Sequence, residues 1–242
     1  MKYLYLWLNI GSFIVPFLFS FHPRLKFYKK WKYFFPAVAI MMALFISWDV
    51  IFTNNGIWGF NELYISGYRI LNLPIEEWLF FICIPYACIF THYSLKHFFP
   101  RFILSDKILN VFYVTLLAIL IISLWYLYDR LYTLVNFMYA IVLLSLIFNF
   151  RKKDLQLFLP TYFIILIPFF MVNGILTGSF IHEQVVWYND LETMGIRVGT
   201  VPLEDSIYAL TMLITVFVLM EWFEERENRS TKNQSSANSL ST

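Results

Sequence analysis

The segment Leu73-Pro74-Ile75-Glu76-Glu77-Trp78-Leu79-Phe80-Phe81 sets two adjacent carboxylates at the start of an apolar run. A near copy, Val201-Pro202-Leu203-Glu204-Asp205-Ser206-Ile207-Tyr208, follows in the second half of the chain. Each reads proline, aliphatic residue, acid, acid. Hydrophobic residues make up 60% of the 242 positions and charged residues 14%, the balance of a chain that crosses a bilayer several times. Carboxylates are scarce in such a chain, so two pairs at the starts of two hydrophobic helices decide how the rest is read.

Working outward from these pairs, seven apolar segments can be drawn, at 3–21, 33–53, 75–95, 106–128, 132–150, 155–177 and 203–223. Each matches the ~20 residues that a helical span requires. The expected fold is all-α integral membrane, with about seven transmembrane helices. Pro16, Pro36, Pro85, Pro160 and Pro168 fall inside these runs, where neighbouring helices can satisfy the freed carbonyls, so local kinks are expected rather than breaks. Lys2 precedes the first run, but that run is aromatic and lacks a small-residue cleavage site, which reads as a span and not a removed signal peptide. Cys83 and Cys88, inside one span, suit packing better than a disulfide, metal or redox site.

Fourteen Lys and Arg residues lie on one side of this arrangement. They fall in the 22–32 connection, at Lys96, Arg101 and Lys107, at Arg151, Lys152 and Lys153, and at Arg226, Arg229 and Lys232. Lys2, Arg69, Arg130 and Arg197 lie on the other. Positive charge favours the cytoplasm, which predicts an outward N-terminus, a cytoplasmic C-terminus and both acidic motifs at the outer interface. The basic clusters report topology and do not form a nucleic-acid face, so no nucleic-acid partner is expected.

The repeat extends beyond the acids. Asn55-Gly56-Ile57 precedes the first motif and Asn173-Gly174-Ile175 the second, with the Asn-to-Pro spacing growing from 19 to 29 residues. The expected domains are a three-helix repeat over 1–100, a connecting helix over 101–130 and a second three-helix repeat over 131–223. A polar tail over 224–242 is expected to be disordered. One intervening helix lets both triplets share an orientation, a 3+1+3 parallel repeat. The long outer loops, about 54–74 and 178–202, are rich in Gly, Trp and Tyr and are expected to form ordered caps.

A carboxylate at a helix start can serve only the helix dipole. Four of them bordering lipid-embedded helices point instead to function. Adjacent helical residues point ~100° apart, so one acid of each pair can face the bundle while the other supports it. Which one faces inward is open. Facing pairs share protons and titrate as a unit, able to hold a donating acid beside an accepting carboxylate. The catalytic candidates are Glu76, Glu77, Glu204 and Asp205. Asp49 is either a third partner or a buried cap. Trp48, Trp58, Tyr64, Tyr68, Trp187, Tyr188 and Tyr208 are either an interfacial aromatic belt or stabilisers of a carbocation. His92 and His97 read as interface residues, and His182 beside Glu183 as a solvated loop position.

These motifs, together with Asn173-Gly174-Ile175-Leu176-Thr177-Gly178 and Gly195-Ile196-Arg197-Val198-Gly199-Thr200-Val201-Pro202-Leu203-Glu204-Asp205, resemble the membrane-integral lycopene cyclases of the heterodimeric or fused type. The resemblance covers all but the tail. It implies lycopene beta-cyclase activity of the intramolecular lyase or isomerase type. Lycopene ends would close to β-ionone rings, through γ-carotene to β-carotene, without net redox change. The candidate substrate-binding or cation-stabilising residues are Trp48, Asp49, Trp58, Tyr68, Asn173, Thr177, Arg197 and Tyr208. The partners the resemblance implies are lycopene and the lipid bilayer, with association with other carotenoid enzymes or a second copy of the chain. No metal or other cofactor is expected, since a flavin enzyme would carry a G-x-G-x-x-G fingerprint after a strand. The alternatives are an enzyme that hydrates the carotenoid end or forms another ring isomer, and a small 3+1+3 transporter. Charges at the outer helix starts rather than at midmembrane disfavour transport. A retinal photoreceptor would need a lysine in the last span, where 203–222 has none. Adjacent acids also cage a metal diphosphate poorly, against a prenyltransferase.

Overall fold

The computed structural model describes residues 2–240, with side chains through Lys232. Seven helices follow in order: α1 (Leu4–Phe19), α2 (Trp31–Asn54), α3 (Ile75–Phe98), α4 (Asp106–Tyr126), α5 (Leu131–Phe150), α6 (Lys152–Leu176) and α7 (Glu204–Leu240). Six of them, all except α1, are long and apolar enough to cross a membrane. The protein is a mostly helical, multi-pass membrane protein. The 16 residues of α1 make a rod of about 24 Å, shorter than the ~30 Å hydrocarbon core. All five prolines expected inside spans lie within continuous helices.

The helices of the two halves interlock. α1 packs on α3 and its counterpart α5 on α7, while α2 crosses to lie along α7; α6 packs more loosely, against both α3 and α7. Phe34, Met41, Phe45, Phe81, Tyr86, Phe158 and Phe217 fill the middle. α4 turns Ile108, Val111, Val114, Ile119, Ile122 and Trp125 outward, as a lipid-facing helix at the rim does.

The outer loops are ordered and contain six short strands that an all-α reading does not foresee: β1 (Trp58–Phe60), β2 (Arg69–Ile70), β3 (Leu73–Pro74), β4 (Val186–Tyr188), β5 (Arg197–Val198) and β6 (Val201–Pro202). Two hairpins, β2–β3 and β5–β6, lead directly into α3 and α7, and they align Arg69 with Pro74 and Arg197 with Pro202. β1 and β4 pair across the halves with Trp58 opposite Tyr188, Gly59 opposite Trp187 and Phe60 opposite Val186. Counting from the acidic motifs, Trp58 corresponds to Val186 and Phe60 to Tyr188, so this register maps onto itself when the halves are exchanged. Gly59 sits where the exchange leaves a position fixed. The Trp187 indole occupies the space a Cβ at Gly59 would need.

Two expectations need correction. The Asn-Gly-Ile tripeptides are not equivalent: Asn55 caps the end of α2, whereas Asn173 and Gly174 are buried inside the last turns of α6. The position matching Gly56, where the chain leaves the helix with positive φ, is Gly178. The tail is not disordered from 224 onward, because α7 runs on through it. Glu224 and Glu227 pair with Lys30 and Lys32, and Glu225 accepts from Arg151 at 2.7 Å. A polar helix gains these partners only in three dimensions, and hydropathy does not register them. The part of the expected tail beyond Leu240 lies outside the described residues.

Candidate functional site

Each hairpin delivers its carboxylate pair to the first turn of a helix, where free backbone N–H groups and the dipole favour negative charge. The two acids of a pair then diverge. Glu76 Oε1 accepts from the Ser66 amide at 2.7 Å, and Glu204 Oε1 from the Met194 amide at 2.5 Å and the Thr133 hydroxyl at 2.7 Å. Both therefore brace the loop that precedes their own helix. Glu77 and Asp205 turn the other way, into a cavity of about 50 Å³ between the halves.

A tyrosine from the first helix of each half meets these inward acids. Tyr5 donates to Glu77 Oε2 at 2.5 Å, and Tyr132 donates to Asp205 Oδ1 at 2.6 Å. One turn on, Asn9 Nδ2 donates to Glu76 O and Asn136 Nδ2 to Glu204 O, both at 2.8 Å. A Tyr-x-x-x-Asn pattern on α1 and α5 thus locks each acidic turn. The two halves differ at the next contact. Asp205 Oδ2 also accepts from Tyr188 at 3.0 Å, and the cavity gains a third carboxylate, Asp49, whose Oδ1 accepts from Trp58 Nε1 at 2.6 Å. Asp49 Oδ2 has no protein partner.

The five acids are each more than nine-tenths buried. Among the described residues, no lysine or arginine lines the cavity; its walls include Trp58, Phe60, Phe80, Tyr132, Phe169, Tyr188 and Tyr208. The Trp58 ring meets those of Tyr132 and Tyr188 at 5.1 and 6.0 Å. Buried carboxylates are costly unless hydrogen-bonded, and here phenol and indole groups donate to them. Burial, and next the neighbouring Asp205 carboxylate, pushes the Tyr188 phenol well above the ordinary tyrosine value. It therefore keeps its proton and stays a donor.

Of the remaining expected residues, Asn173 and Thr177 line the cavity with Asp49, Trp58 and Tyr208. Trp48 stands behind the wall, edge-on to Tyr208 at 5.4 Å. Tyr68 is 77% exposed on the hairpin and does not reach the cavity. Arg197 is likewise a loop brace: it pairs with Asp190 at 2.5 Å and donates to Thr200 O at 2.6 Å, as Arg69 does to Glu62 and Asn72 O. It stands over the Tyr188 ring at 5.9 Å and near enough to Asp205 to favour its anionic form, without lining the cavity. His182 lines a separate, open pocket with Glu183. His92 is not interfacial but buried, with Nδ1 3.0 Å from the Thr161 hydroxyl. The sequence reading missed Tyr5, Tyr132 and Thr133. The repeated Tyr-x-x-x-Asn at 5–9 and 132–136 was the signal for the first two.

Fold and site together define a two-repeat integral membrane protein with a buried carboxylate cluster in an aromatic cavity. The family model described as Lycopene cyclase matches residues 2–95 and 129–223. The two matches account for most of the chain, and the protein belongs to the lycopene cyclase family, enzymes of carotenoid biosynthesis. The two matched segments are also the two copies of the internal repeat. No curated protein and no solved structure matches the chain.

Proposed function

We propose that the protein closes the acyclic ends of lycopene into β-ionone rings, with Glu77, Asp205 and Asp49 as the acid–base group. The observation that carries this reading is their convergence on one aromatic cavity that no lysine or arginine among the described residues lines. A carboxylic acid there adds a proton to the terminal double bond of the ψ end. The tertiary cation is attacked by the internal alkene, closing the six-membered ring, and a carboxylate removes a ring proton to leave the new double bond. One proton enters and one leaves, so the product is an isomer of the substrate. Acid and base must be distinct and desolvated across a small space. Asp205, which accepts two tyrosine hydroxyls, is suited to act as the anion that takes the proton. Glu77 and Asp49 then lie on the donating side. The faces of Trp58, Tyr132 and Tyr208 stabilise the intervening cation, and Glu76 and Glu204 hold their turns in place.

In this reading all seven helices cross the membrane as two parallel three-helix units, 1–100 and 131–223, joined through 101–130. The carboxylate end faces outward and the C-terminus the cytoplasm. The clustering of Lys30, Lys32, Lys96 and Arg151 at the far end of α7 from Glu204 supports that polarity. The test is expression in a lycopene-accumulating host followed by pigment chromatography. The expected result is γ-carotene and β-carotene. Unchanged lycopene, or a hydrated acyclic end, with the protein present in the membrane, defeats the cyclase reading, whereas a closed ring with a differently placed double bond defeats only the β-ring.

A further inference from the structure

A second cavity, of about 240 Å³, lies between α1, α3 and α6 and shares Phe169 and Asn173 with the carboxylate cavity. Its wall on α3 is Ile84, Ala87, Cys88 and Thr91, a stripe along one helix face. Its two hydroxyls, Ser12 and Thr91, donate to Leu8 O and Ala87 O one turn back, each at 2.8 Å. Apart from Asn173 at the junction with the carboxylate cavity and the Cys88 thiol, the walls therefore present mainly hydrocarbon. Thr91 lies fourteen residues beyond Glu77, about 21 Å down the helix, or roughly two thirds of the hydrocarbon thickness.

In the other half a large side chain takes the equivalent position. The Tyr5–Asn9 and Tyr132–Asn136 match places Tyr139 where the first half has Ser12, and the acidic motifs place Thr215 where it has Ala87. Tyr139 fills the equivalent position: its hydroxyl lies 3.4 Å from the Thr215 hydroxyl, and its ring stands edge-on to Phe45 and Trp48 at 5.6 and 6.0 Å. Two pseudo-equivalent grooves would be expected of two equal halves. One is open and the other is plugged by aromatic rings.

We propose that the open groove is the binding channel for the polyene chain, which enters sideways from the lipid with its terminal group seated among the carboxylates. This rests on the cyclase reading, and it adds that the enzyme holds one end at a time through a single side door. Continuity with the carboxylate cavity, a mostly apolar lining whose two hydroxyls are satisfied within their own helices, and a course along the membrane normal fit a long hydrocarbon whose one reactive end must reach Glu77.

The test begins with wild-type protein in lycopene-accumulating cells. Unchanged lycopene there sinks the cyclase reading before the groove is questioned. With the wild type active, Ala87→Phe and Ser12→Phe each lower cyclised product at least tenfold at equal membrane level, whereas Leu146→Phe, on the exposed face of α5, leaves it unchanged. Occupancy is read independently of turnover. In a chain with Cys83 and Cys88 replaced by alanine, Thr91→Cys is alkylated in vesicles by a lipid-soluble maleimide. Loading the vesicles with lycopene slows that reaction at least fivefold, and does not slow it for Leu146→Cys. Wild-type product from both filling variants, or undiminished alkylation of Thr91→Cys in lycopene-loaded vesicles, would overturn the groove assignment.

Discussion

The division of labour inside each acidic pair is the sharpest residue-level result, since the adjacent acids at 76–77 and 204–205 look interchangeable in the sequence. Glu77→Gln and Asp205→Asn should each reduce β-carotene formation at least a hundredfold, the scale of a lost general acid or base. Glu204→Gln keeps an amide oxygen for Met194 N and Thr133, so it should retain most activity. Chromatography of pigments against immunoblotted membrane protein distinguishes these outcomes. Glu204→Ala instead orphans two donors and should destabilise the protein by about 1–3 kcal/mol, seen as a lower unfolding midpoint in detergent. Tyr188→Phe removes one of the two hydroxyls on Asp205. A hydrogen bond to a charged group is worth about 1.5–3 kcal/mol, so product should fall at least tenfold, and further when Tyr132→Phe is added. Initial rates with lycopene in proteoliposomes test this, and wild-type rates in the double variant would remove the tyrosines from the mechanism.

At the scale of elements, the helices and the ordering of the outer loops were legible, and the strands inside those loops were not. A helix such as α4 announces itself by about twenty apolar residues, because lipid demands that every backbone group be paired within the segment. The strands Trp58–Phe60 and Val186–Tyr188 are three residues long, too short for any periodicity, and each exists only because the other half supplies its partner. The acid pairs were legible as a site because charge is rare in this chain. Tyr5 was not, because tyrosine is common in it. Tyr68 and Arg197 were misplaced because motif proximity says nothing about which way a hairpin residue points. The β1–β4 clasp makes its own prediction. Gly59→Ala drives a methyl group into the Trp187 indole, and overpacking of this kind costs about 1–3 kcal/mol. The unfolding midpoint should drop, and Trp187→Ala in the same chain should restore most of it. Two independent, additive losses would show that the close approach is not what Gly59 is for.

For the whole molecule, the catalytic group is assembled from both halves: Tyr5, Asp49 and Glu77 from the first, Tyr132, Tyr188 and Asp205 from the second. α4 contributes no cavity residue. Segments 1–104 and 127–242, produced together without α4, should therefore associate through α2–α7 and β1–β4 and form β-carotene, while either alone should form none. Co-purification of the two segments and pigment analysis measure this, and inactivity of a co-purified pair would give α4 a role beyond linkage. The position shared by Gly59 and Trp187 carries a historical consequence as well. In a dimer of identical subunits, a residue on the two-fold axis faces its own copy, so two indoles or two bare backbones would have to meet there. A large ring over a glycine can arise only after the copies have become separately inherited sequences, and the clasp is in that sense a mark of duplication followed by divergence.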